Sequence, residues 1–318
     1  MIPRITDIIN QNRTFLITAH ERPDGDALGS ELALYHMLTA KGKTASVYNQ
    51  DQTPGHYRFL PGTSVIVNEL PATECFDVAF ILDCSELERV GRGADQIRKI
   101  RQTINIDHHV SNGGFCEVAL LDACASSTGE LIYRLAESMA LTLTPEMATN
   151  LYAALLTDTG GFRYGNTTRD CLLIAGRLVE AGARPQWISE NIYESTPLAK
   201  IRLLAGVLET LSLGLNGKVG SMVVMQEALA KAGALPEYTD GFEDLPRTIM
   251  GVEASILFSE LEADYYKLSL RSKGSFNVER VARKFGGGGH VNAAGCRIRG
   301  ELSTVKRLVL AEIEASAE

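Results

Sequence analysis

The 318 residues are 45% hydrophobic and 22% charged, with 29 glycines and 10 prolines, which is enough for two packed cores and too apolar for a disordered chain. No stretch approaches the roughly 18 apolar residues of a membrane span, and the N-terminal MIPRITDIINQNR lacks the apolar centre of a signal peptide, so a cytoplasmic protein without a membrane partner is expected. The net charge of −8 argues against coating a nucleic acid through bulk basicity.

One region reverses that average. From residue 271 to 307 there are nine basic residues (Arg271, Lys273, Arg280, Arg283, Lys284, Arg297, Arg299, Lys306, Arg307) against Glu279 and Glu301. An acidic body with one basic region suits a short anionic ligand better than a long polyanion. Cys75, Cys84, Cys116, Cys124, Cys171 and Cys296 are scattered with no C-x-x-C pair, so they read as small core hydrophobes and not as a disulfide framework or zinc site.

In chain order, residues 14–19 (TFLITA) form an apolar β-type run, followed by a polar turn and a helical pattern over 27–40 closed by Gly42. Residues 76–82 (FDVAFIL), 103–106 (TINI) and 118–121 are further buried strands, and 85–101 is polar and partly helical. Helices follow at 127–140, at 145–157 with Pro145 in its first turn, and at 168–181. Short apolar strands alternating with helices predict an α/β domain with a mostly parallel sheet covered on both faces, whose ligands collect beyond the carboxyl ends of the strands. Helical periodicity over 186–214 then gives way to strands at 218–225, 254–258 and 265–270, a smaller α+β domain. The interruptions GARP and STP place the boundary within 182–200, dividing the chain into residues 1–186 and 187–318.

Four segments place metal-competent side chains at the ends of predicted elements: His20-x-x-x-Asp24-x-Asp26, Asp83, Asp107-His108-His109, and Asp158 ahead of Gly160-Gly161. An isolated aspartate after a strand is more often a cap or an Asx-turn than a ligand. The consecutive Asp-His-His changes that balance, because it is costly to bury without partners, and His20, His108 and His109 are three of only six histidines. His36 and His56 read as structural. Carboxylates with imidazoles and no thiolate suit Mn²⁺ or Mg²⁺, with Zn²⁺ or Co²⁺ as alternatives, and the donors are too many for one ion. Two bridged ions suggest phosphoryl chemistry.

The fifth place is Gly286-Gly287-Gly288-Gly289-His290 followed by VNAAG. Exposed amides of the glycine run, a helix starting near Val291, His290 and Arg271 would together form an anion site inside the basic region.

These segments resemble the DHH phosphoesterases: HERPDGDA from His20, DCS from Asp83, DHH from Asp107 and DTG from Asp158 look like that superfamily's four motifs, and GGGGHVNAAG looks like the glycine-rich signature of the accompanying DHHA1 domain. The resemblance runs from about residue 14 to 310, and the compact length is similar to the bacterial nanoRNase/pAp phosphatase branch. It implies two Mn²⁺ ions, one held by His20 and Asp24, the other by Asp26, His108 and Asp158, with Asp83 bridging them. It further implies that Asp107 orients its neighbouring histidine, that His109 sits near the scissile phosphate, and that Arg271, Ser272, Gly287, Gly288, Gly289 and His290 grip a terminal phosphate. The implied substrates are short 5′-phosphorylated RNAs, cut to 5′-mononucleotides, and pAp, with the second domain acting as a ruler for length. Homodimers are common among such proteins. Competing readings are a hydrolase of pApA, a manganese pyrophosphatase, a long-strand exonuclease and, outside catalysis, a nucleotide sensor; the last should have lost a metal-site carboxylate, and none is missing.

Overall fold

Six short strands build the first sheet: β1 (Thr14–Thr18), β2 (Thr44–Tyr48), β3 (Ile66–Val67), β4 (Val78–Leu82), β5 (Gln102–Asp107) and β6 (Val118–Leu121). All pair in parallel, in the order β3-β2-β1-β4-β5-β6. The chain leaves β1 towards β2 on one side and returns to place β4 on the other, so β1 and β4 flank the point where strand order reverses. In open α/β sheets that crevice is where ligands bind.

This computed structural model describes residues 1–73 and 76–316, and the backbone alone at His290. They fall into two compact units, Met1–Ser195 and Thr196–Glu318.

In the first unit, strand alternation sorts the core. Phe15, Ile17, Val78, Phe80, Leu82, Ile104 and Ile106 face α1 (Ile2–Gln11), α2 (Gly25–Ala40), α4 (Thr128–Ser138) and α5 (Pro145–Asp158). Leu16, Ala79 and Ile81 face the other way, onto the 3-10 turn Leu87–Val90 and α3 (Ala94–Ile97). Helix α2 is buried on almost every side, because apart from Asp26 and Glu31 the segment GDALGSELAL is apolar or small all round. A side chain at Gly29 would run into the Asn150 carbonyl of α5, so glycine here sets how closely the two helices approach. Truncating a fully buried neighbour such as Leu28 or Leu32 would cost about 2–5 kcal/mol. Thr144 caps α5 and Thr168 caps α6 (Arg169–Glu180), and α7 (Pro185–Tyr193) ends the unit.

The second unit contains α8 (Leu198–Leu208), β7 (Ser212–Gly214), β8 (Val219–Val224), α9 (Gln226–Ala232), the 3-10 helix Phe242–Thr248, β9 (Ala254–Glu262), β10 (Tyr265–Ser272), α10 (Val278–Lys284), β11 (Gly288–His290), β12 (Ala293–Arg299) and α11 (Leu302–Ser316). Its sheet runs β11-β12-β10-β9-β8-β7, antiparallel except for the β8–β9 pair. One face packs on α10 and α11, the other on α8, α9 and Phe242. No helix among the described residues is long and apolar enough to cross a membrane.

Three expectations need correction. The helical stretch over 186–214 breaks at Ser195–Pro197, where proline removes a backbone donor, and ends in strand β7. No helix starts near Val291: Val291 and Asn292 form the two-residue turn of the β11–β12 hairpin. Cys84, Cys171 and Cys296 are buried, but Cys116 is only partly so and Cys124 is exposed, while Cys75 lies outside the described residues.

Candidate metal centre

His20 follows β1, Asp24 caps α2 and Asp26 lies in its first turn, Asp83 directly follows β4, His108 and His109 follow β5, and Asp158 is the last residue of α5. The sheet edge gathers them. His20 Nε2 lies 3.4 Å from Asp83 Oδ2 and 3.9 Å from Asp24 Oδ1. His108 Nε2 lies 3.4 Å from Asp158 Oδ2 and 3.8 Å from both Asp26 Oδ2 and Asp83 Oδ1. Two donor sets result, His20–Asp24–Asp83 and Asp26–His108–Asp158, and within each the donor atoms lie within 4.8 Å of one another. Asp83 touches both sets, and a third grouping joins it to His108 and His109.

The surrounding chain holds these side chains in place. Asp24 accepts hydrogen bonds from the amides of Asp26 and Ala27 at 3.0 Å each. Asp26 accepts from the Thr128 and Gly129 amides at 2.7 and 2.9 Å, the unsatisfied donors at the start of α4, and from Ser30 Oγ at 3.2 Å. Asp83 sits at a φ of +55°, a left-handed conformation uncommon for aspartate. Its amide still continues the ladder to Ile106, and Thr128 Oγ1 donates to its carboxylate at 3.1 Å. His20 Nδ1 and His108 Nδ1 face the carbonyls of Glu21 and Ala125 at 2.9 and 3.3 Å, which turns each Nε2 towards the carboxylates.

Charge is badly out of balance here. Burial and the facing carboxylates of Asp83, Asp158 and Asp24 push Asp26 well above the usual carboxylate range, despite the Gly129 amide. Burial, Asp83 and Asp24 push Asp158 up as well, against the pull of His108. Burial opposes a proton on His20, but the hydrogen bond to Asp83 and the charges of Asp24 and Asp83 outweigh it and carry its pKa to about 9. Burial raises Asp83 too, yet its bond to His20 and the charges of the three histidines hold it below the usual range. Among the described residues no lysine or arginine is bonded to Asp24, Asp26, Asp83 or Asp158, and histidines are their ion-pair partners. Two donors sharing one cation at about 2.0–2.3 Å stand about 3–4 Å apart. The observed separations and the hard oxygen and imidazole donors fit divalent cations.

His109 is held differently. Its Nδ1 lies 2.7 Å from Asp107 Oδ1, and Asp107 Oδ2 accepts from Asn112 Nδ2 at 2.6 Å. The Asp107 hydrogen bond lifts the His109 pKa against burial, and Asp107 is lowered because its bonds to His109 and Asn112 overcome burial. Asn112 also donates to Asn105 Oδ1, and Asn105 reaches back to the carbonyls of Ile81 and Cys84. Asn166 likewise ties Asp158 to Ser126. Sequence reasoning misses Thr128, Gly129, Asn105, Asn112 and Asn166; the only hint was the S-x-x-E cap from Ser127 to Glu130, which marks a helix start without saying what its amides face.

In the second unit the expected phosphate-gripping residues are placed unequally. Arg271 and Ser272 are neighbours on β10 and so face opposite sides of the sheet. Arg271 is about one quarter exposed and pairs with Glu243 at 2.7 Å. Ser272 is buried, donating to the Phe276 carbonyl at 2.6 Å and accepting from Asn292 Nδ2 at 2.9 Å. The glycine run serves the fold at each end: Gly286, at φ +73°, stops α10, and a side chain at Gly287 or Gly289 would collide with β12. Gly288 has open space. His290 pairs with Ala293, which pairs with Arg271, so its backbone lies two strands from Arg271 in the same row; its side chain is outside the described residues.

Residues 14–156 match the DHH family, N-terminal domain, and residues 220–317 match the DHHA1 domain. The chain is 32% identical over 285 residues to the bifunctional oligoribonuclease and PAP phosphatase of Thermus thermophilus, covering 89% of this chain and 84% of that protein. It is 27% identical to the protein of the same name from Bacillus subtilis, covering 90% and 89%. Among solved structures, an exopolyphosphatase-related protein from Bacteroides fragilis is similar at a TM-score of 0.91 and 28% identity, over 100% of this chain and 97% of that one. The chain therefore belongs to the metal-dependent DHH/DHHA1 phosphoesterases.

Proposed function

We propose that the protein hydrolyses short 5′-phosphorylated oligoribonucleotides to 5′-mononucleotides and removes the 3′-phosphate of pAp, using two divalent cations, by preference Mn²⁺. The observation that carries this reading is the pair of donor sets sharing Asp83. His20 and Asp24 would hold one cation, Asp26, His108 and Asp158 the other, with Asp83 between them. Bound there, the cations supply Lewis acidity and a water acidic enough to attack phosphorus near neutral pH.

The chain's own residues do the rest. Thr128 and Gly129 keep the Asp26 carboxylate fixed, and the Thr128 hydroxyl does the same for Asp83. Asp107, itself fixed by Asn112, holds His109 Nδ1 and favours its protonated form, leaving Nε2 to donate a proton to the departing ribose oxygen. The side chains of Asp24, Asp158 and His109 are 55, 28 and 35% exposed, against 1 and 3% for Asp26 and Asp83, so a phosphate approaches from the Asp24–Asp158–His109 side. In the second unit Arg271 is suited to a terminal phosphate, through charge-assisted hydrogen bonds. Holding an end needs no basic surface along a strand, which reconciles an acidic chain with an RNA substrate.

The test is product release by the purified protein, with Mn²⁺ and then with EDTA, on 5′-phosphorylated di- and pentaribonucleotides, pAp and inorganic pyrophosphate. Metal-dependent mononucleotide release, fastest on the dinucleotide, is expected; cleavage of pyrophosphate alone would refute the reading.

A further inference from the structure

Arg271 is already occupied. Its Nη2 donates to Glu243 Oε1 at 2.7 Å, its Nη1 to the Leu270 carbonyl at 3.1 Å, and its Nε lies 4.0 Å from Asp244 Oδ1. Arg247, from the same 3-10 helix as the two acids, bonds Asp244 at 2.6 Å and the Ser272 carbonyl at 3.0 Å. Two guanidinium groups thus meet two carboxylates, and the cluster carries no net charge. Glu243 is not a free surface acid: its side chain is 13% exposed, and Ser255 Oγ anchors its carbonyl at 2.5 Å. A neutralised arginine has no spare charge for a phosphate, and carboxylate and phosphate compete for the same planar fork of N–H donors. A terminal phosphate brings nearly two negative charges and three acceptor oxygens, so it can win that competition where a hydroxyl cannot.

We propose that Glu243 is an internal counter-ion that occupies Arg271 until a terminal phosphate displaces it, and so tempers the enzyme's affinity for phosphorylated ends. This rests on the reading that Arg271 takes the substrate's terminal phosphate. A dianionic end gains the arginine only at the cost of displacing Glu243, and an uncharged end leaves the ion pair closed. The alternative, that Glu243 merely braces Arg271 or the 3-10 helix, makes the opposite prediction.

The experiment measures kcat and KM in the full-length protein for pApA and for ApA with a 5′-hydroxyl, and takes the ratio of the two kcat/KM values. Glu243→Gln is expected to raise that ratio by about threefold or more, through a lower KM for pApA, as expected from releasing a partly exposed ion pair. Glu243→Asp, which keeps the charge but withdraws it by one methylene, should shift the ratio the same way by less and serves if the glutamine variant fails to fold. A ratio unmoved or lowered in the folded variants would overturn the proposal. Arg271→Ala separates the two claims, and is expected to lower the ratio by about tenfold or more. If it does so while the Glu243 variants leave the ratio unmoved, only the counter-ion proposal falls; if Arg271→Ala itself leaves the ratio unchanged, the end-binding reading falls with it.

Discussion

The two units treat charge in opposite ways. At the edge of the parallel sheet, four aspartates crowd together with no arginine or lysine bonded to any of them among the described residues, and histidines, backbone amides and the neutral donors Ser30, Thr128 and Asn166 face them. At the end of β10, by contrast, two arginines are paired, Arg271 with Glu243 and Arg247 with Asp244. Excess negative charge that is rigidly held suits a resident cation, which repays its binding by relieving repulsion. A neutral, partly exposed cluster suits a ligand that comes and goes, because exchanging one anion for another costs little.

That contrast can be broken at several points. The largest effect is expected from Asp83→Ala, which removes the carboxylate common to both donor sets: kcat should fall by about a thousandfold or more on every substrate, as measured in single-turnover assays. Asp107→Asn leaves the donor sets intact but releases His109, and should lower kcat by roughly 10- to 100-fold with KM little changed.

Glu31 sharpens the picture of excess charge in the first unit. It is fully buried on α2, takes one hydrogen bond from Asn49 Nδ2 at 2.8 Å, and both its Oε1 and Asn49 Oδ1 lack partners. Burial carries its pKa to about 8, well above the unfolded value of 4.5. Between those values the folded chain keeps a proton that the unfolded chain has lost, so its contribution to stability is complete below about pH 4.5 and is lost as pH rises towards 8, by up to about 1.4 kcal/mol per unit. Glu31→Gln should flatten that slope and raise stability at pH 7; denaturant unfolding from pH 5 to 8 reads it. The smallest effect concerns the second unit: Gly289→Ala, at φ +145° and against β12, should cost about 1–3 kcal/mol by thermal unfolding, a cost that an anion-binding loop free of the sheet would not show.

Much of the first unit could be read from sequence because its chemistry is local. TFLITA, FDVAFIL and TINI each end in the residues that matter, and a parallel sheet brings successive strand ends to one edge whatever the loops between them do. The amides that steady Asp26 could not be read, since Thr128 lies 102 residues away and nothing in its own segment points back. In the second unit the glycine run was ambiguous. Four glycines are compatible with an anion cradle or with a helix stop leading into a tight hairpin, and only the pairing of Gly288 with Gly295 decides. The opposed directions of Arg271 and Ser272 follow from strand periodicity alone. Glu243 carried no signal, because its partner approaches only once β9 and β10 have packed on the 3-10 helix.

The most direct test of the central claim, that the first unit's excess charge is built for two cations, is calorimetric titration of Mn²⁺ into metal-free full-length protein alongside Asp83→Ala. Two ions per chain are expected in the unaltered protein, with markedly weaker binding of both once the shared carboxylate is gone. Failure of the unaltered protein to bind Mn²⁺, or two undiminished sites without Asp83, would contradict it.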